Sequence, residues 1–136
     1  MCLRRRSACW LIGWALLASQ GAAAASDSSF PFGSDLMLDT APMRGSKRVP
    51  MIQVEENGSA SIDLWCASSV PAQATVGDSS FSIVVGAAAP APCPPERQTG
   101  DDDLLNALAQ VTGWRRHGEV IELSGPTTLR FRLMTN

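Results

Sequence analysis

VPMIQVEENGSASIDLWC, residues 49–66, holds two runs of alternating character on either side of a turn, and that alternation decides the fold class. In residues 49–55, Ile52 and Val54 alternate with Gln53 and Glu55, the period of a strand with one buried face. Glu56, Asn57 and Gly58 then supply a hairpin turn. Residues 59–66 repeat the period, with Ile62, Leu64 and Cys66 on one face and Ser61, Asp63 and Trp65 on the other. The reading places Cys66 toward the core and Trp65 away from it, half-covered by a loop or free for a partner.

Downstream, residues 72–76 and 80–85 read as two more strands joined through Gly77 and Asp78. Residues 86–95 carry Pro90, Pro92, Pro94 and Pro95 around Cys93, which excludes a helix or a central strand and leaves an extended loop across the domain. Asp101, Asp102 and Asp103 precede Leu104, Leu105, Leu108 and Val111, an apolar stripe at helical spacing with acids expected in its first turn. Thr112 and Gly113 close that helix. The chain then reads as strands over 114–116, over 120–123 after the RRHGE turn, and over 127–133 after Ser124, Gly125 and Pro126. In the last, Leu129, Phe131 and Leu133 alternate with Arg130 and Arg132.

Upstream, residues 35–39 (DLMLD) form a short strand closed by Pro42, preceded by a polar, loose stretch over 26–34. Short antiparallel strands with a single late helix describe an α+β domain, either a small antiparallel sheet or a partly open β-barrel closed by the helix. The expected organisation is a signal peptide over 1–25, a flexible leader with a short strand over 26–45, and one domain over 46–136.

Residues 1–25 have the layout of a cleavable export signal: Arg4, Arg5 and Arg6, then the apolar run 11–18, then Ala22 to Ala25. The run breaks at Ser19, Gln20 and Gly21, short of the roughly 20 apolar residues that cross a bilayer. Cleavage before Ser26, delivery to the periplasm and no stable membrane anchor afterwards are the expectation. Removing the three arginines from 11 Lys and Arg leaves 8 against 13 Asp and Glu, a net charge near −5. That balance disfavours nucleic acid as a partner. Of four cysteines, Cys66 and Cys93 remain, an even pair that an oxidising compartment would bridge; free buried thiols are the other reading.

Residues that carry chemistry are sparse. His117 is the single histidine and falls in the RRHGE turn without a nucleophile pattern near it. No serine lies in a Gly-x-Ser-x-Gly elbow, and no glycine-rich phosphate loop occurs. Three consecutive aspartates point in different directions and do not form a cation site by themselves. No catalytic residue, metal ligand or cofactor is expected. The outward Trp65, with Pro90 and Pro92 of the stiff loop, forms the expected contact surface for an envelope protein or a small apolar ligand. A hydrolase with an unrecognised site is the alternative.

The order of strand, Cys66, hairpin, Cys93-Pro94, acidic helix start, Leu104-Leu105 with Ala107-Leu108, Trp114, the Gly118 turn, Ile121-Glu122-Leu123 and Leu129-Arg130-Phe131 resembles the META domain of HslJ-like bacterial envelope proteins. The resemblance covers about residues 49–133. Trp65-Cys66-Ala67 stands where family members usually show Gly-Cys-Asn. The resemblance implies a small sheet-rich fold with a helix, an exported or envelope-associated location, and a link to stress tolerance without enzymatic activity.

Overall fold

The computed structural model of the chain describes residues 28–89 and 92–135. The expected export signal, its cleavage point before Ser26, and Pro90 lie outside the described residues. The rest form β1 (Leu36–Leu38), β2 (Met51–Val54), β3 (Ser59–Asp63), β4 (Val70–Val76), β5 (Phe81–Val85), α1 (Pro95–Ala109), β6 (Gly113–His117), β7 (Val120–Ser124) and β8 (Leu129–Leu133). All neighbouring strands pair antiparallel in one eight-stranded sheet, ordered β5-β4-β3-β2-β1-β8-β7-β6.

The β2–β3 hairpin forms where the alternation put it, with Ile52 opposite Ile62 and Val54 opposite Ala60. Its turn closes through the Gly58 N–H donating to the Glu55 carbonyl at 2.9 Å. Gly58 takes a φ of +89°, which a side chain would resist, while the Asn57 carboxamide oxygen accepts from the Ser59 N–H. The sheet curls until its two edges meet. Ser80 bridges Gly113, and the Phe81 and Trp114 N–H groups donate across the seam to Thr112 and Ser79. Beyond that point β5 and β6 part, and α1 packs over the opening. The result is the partly open barrel with one helix expected from the strand pattern.

Inside, Leu36, Ile52, Ile62, Ile121, Leu123 and Phe131, from five of the strands, are all fully buried. The two mouths are stopped by different pieces of chain. At one end Leu104 and Leu108 of α1 are buried; at the other Phe30 meets Trp114 edge-on at 5.1 Å and Phe81 at 5.8 Å between ring centroids.

This corrects the reading of residues 26–45 as a flexible leader. β1 is the centre of the sheet, flanked by β2 and β8, and Phe30 belongs to the core. The body therefore begins no later than Phe30, not at Ser46. The leader reading rested on local polarity, whereas a three-residue strand is stabilised by pairing on both edges. Phe30→Ala is expected to cost about 2–3 kcal/mol, below the range for an interior phenylalanine because the ring lies at the barrel mouth. Urea unfolding of the variant measures it; a loss under about 0.5 kcal/mol would return the segment to a loose leader.

Two further corrections concern α1 and the end of β3. The helix starts at Pro95, with Pro94 as its N-cap, not at the aspartates. Proline suits this place because the first helical N–H groups have no internal partner and its φ is already helical. The three aspartates consequently lie in mid-helix. β3 ends at Asp63, so the alternation does not extend through Cys66, and Leu64 and Trp65 are both buried.

Candidate functional site

The chain leaves β3 through a tight turn in which the Leu64 N–H donates to the Ala67 carbonyl at 2.8 Å. Ser69, at a φ of +52°, then turns it into β4, and its N–H donates to the Asp63 carboxylate at 2.7 Å. The turn aims three successive N–H groups at one point. There the Asp101 carboxylate accepts from Trp65 at 2.8 Å, from Cys66 at 3.0 Å and from Ala67 at 3.4 Å. Consecutive amides that converge in this way form an anion-binding concavity, occupied here by a side chain of α1. Asp101 is the one buried charged residue among those described, 6% exposed.

Next to this ionic clamp lies a covalent one. Cys66 and Cys93 form a disulfide with a Cα–Cα distance of 5.7 Å, tying the turn to the segment that enters α1. Of the two readings left open for these cysteines, the bridge is the one realised. Cys66 is partly buried at the turn and does not cap an inward strand face.

Both clamps draw Trp65 under the helix. The indole is 8% exposed, and a Cβ added at Gly100 would lie 3.1 Å from its Cε3 and 2.4 Å from Met43 Cε. A side chain at Gly100 would push Met43 aside and shift the indole by a few tenths of an ångström. The expectation of an outward Trp65 thus fails because the strand ends two residues earlier. The indole Nε1 is buried without a hydrogen-bond partner among the described residues.

Trp65 nevertheless lines a surface groove of about 520 Å³. One wall is the flank of α1, with Gly100, Asp103, Leu104, Ala107 and Gln110 at helical spacing. Leu38, Met43 and Leu129 line it from the ends of β1 and β8 and the loop after β1. The volume falls within the range of small-molecule sites.

The Pro-rich loop is elsewhere. Ala88, Ala89 and Cys93 border a cleft of about 180 Å³ with Gln98, Asp101, Asp102 and Leu105, on the other flank of α1. Pro92 is exposed beside it. The helix therefore separates Trp65 from Pro92, and the two do not form the single contact surface expected of them. His117 ends β6 and is exposed. Among the described residues no three His, Cys, Asp or Glu side chains are grouped to hold a metal ion, and no helix is long and apolar enough to cross a membrane.

Asp101 escaped the sequence reading, although a signal for it exists. Asp101, Leu104, Leu105 and Leu108 share one stripe at spacings of three and four, so one of the three aspartates had to face the core. The groove has no such signal, since its walls come from four separate parts of the chain. No protein-family model matches the chain, and neither a curated protein nor a solved structure matches it.

Proposed function

We propose that this chain is an exported, non-catalytic envelope protein, similar to the META and HslJ-like proteins in the order of its elements, that binds an apolar ligand in the groove along α1. The observation that carries this reading is the groove itself, where the half-buried Met43 and the edges of the otherwise buried Trp65, Leu38, Leu104 and Leu129 form the apolar floor of one open depression. Whatever apolar area this floor leaves in contact with water gains free energy by being covered, at about 25 cal/mol for each Å². The cystine supports an oxidising compartment, where such bridges persist.

Calorimetric titration of the purified protein with decanol tests the reading. Saturable binding of one molecule per chain is expected, abolished in Ala107→Phe, which fills the groove, and weakened in Thr127→Phe at its exposed rim. Both variants should melt within a few degrees of the parent. Heat that is unsaturable, or binding that both filled variants keep, would remove the groove from the function. Turnover of an ester or amide substrate by the protein would favour the hydrolase instead.

A further inference from the structure

The groove is not electrically neutral along its length. At the Met43 end, the loop between β1 and β2 carries Arg44, Lys47 and Arg48, all exposed. It lies against the start of α1, because Arg97 donates from Nη2 to the Gly45 carbonyl at 3.3 Å. Arg48 donates to the Ser68 hydroxyl, which fixes the other end of the loop beside the clamped turn. Arg97 precedes Gly100 by three residues and so continues the same helix flank that walls the groove.

Four cations thus lie on or against the loop that follows Met43, next to this end of the groove without lining it, in a chain whose formal net charge is −2. None of the four makes an ion pair among the described residues, whereas Arg115 and Arg132 on the sheet's outer face pair with Glu122 and Asp39. The N-terminal end of α1 adds a partial positive charge of the same sign. Asp103 lies farther along the groove and opposes an anion there. The polarity is therefore directional: cationic at the Met43 end, apolar over Trp65 and Leu104, polar again at Asn106 and Gln110.

We infer that the groove takes a single-chain anionic amphiphile of the fatty-acid type, with its carboxylate against Arg44, Lys47 and Arg97 and its alkyl chain laid along α1 over Trp65. This rests on the groove being the ligand site proposed above and names the class of ligand. The fit in length is reasonable. From Gly100 to Gln110 the helix rises about 15 Å, which accommodates an extended medium-length alkyl chain. Arg48 and Arg97 hold the loop in place through two hydrogen bonds before any ligand arrives, whereas Arg44 and Lys47 are exposed and have no such role among the described residues.

The test compares decanoate with decanol on the intact protein at low and high salt. Decanoate should bind about tenfold more tightly at low salt, the sum of two or three exposed ion pairs, and the advantage should shrink as salt screens them. Arg44→Glu with Lys47→Glu, both exposed and outside the core, should abolish the preference and leave decanol affinity unchanged. If decanoate and decanol bind equally and charge reversal alters neither, the head-group assignment is wrong while the apolar groove stands. If neither ligand binds, the groove reading falls with it. Decylammonium binding more tightly than decanoate would invert the assigned polarity and overturn the inference through Asp103.

Discussion

Asp101→Ala is expected to destabilise the protein by about 3–5 kcal/mol, the largest loss from any single polar side chain described. The carboxylate satisfies three backbone donors of one turn, and alanine leaves those of Trp65, Cys66 and Ala67 without their partner, at the edge of the small cleft that Asp101 borders. The loss is less than three full charge-assisted bonds because removing the carboxylate also removes the cost of burying its charge. Asp101→Asn separates these terms. It preserves shape but offers one acceptor oxygen where two are used, and its amide places a donor against a donor, so about half the loss is expected to remain. Urea midpoints at unchanged slope measure both variants. An alanine variant within about 1 kcal/mol of the parent would show that water reaches the turn and that Asp101 does not hold it.

The same residue explains how far the sequence could be read. Strands β2, β5, β7 and β8 were legible because their alternation is local and each buries one face. β1 was legible as a strand but not as the sheet's centre, since three residues carry no record of which strands flank them. Trp65 was misplaced for a related reason. Its orientation is decided by the amide bonds to Asp101, 36 residues away, which end β3 early and override the alternation that residues 59–63 obey. The helix start was set six residues late because prolines, read as excluding a helix, in fact open it at Pro95, where their missing N–H costs nothing. Everything that positions the groove depends on these non-local choices, so the candidate site was invisible where the fold class was plain.

Replacing both bridged cysteines, Cys66→Ser with Cys93→Ser, is expected to cost about 3.5 kcal/mol in the chain-entropy account, from a closed loop with a sequence separation of 27. The native fold should survive this change, because Asp101 still holds the turn to α1 from the other side of Cys66. Two observables separate an effect on the unfolded chain from damage to the native one. The sharp tryptophan bands of the near-ultraviolet circular dichroism, from the buried Trp65 and Trp114, should persist while the broad band of the cystine disappears, and the dependence of stability on urea should steepen as the unfolded chain loses its crosslink and exposes more surface. Combining the pair with Asp101→Ala removes both attachments of the same turn. The summed loss of about 6.5–8.5 kcal/mol reaches the total stability of many domains of this size, so the triple variant should be largely unfolded at room temperature. If the serine variant instead loses its near-ultraviolet tryptophan bands while the slope stays constant, the bridge shapes the native turn directly, and Asp101 alone does not suffice to keep Trp65 beneath the helix.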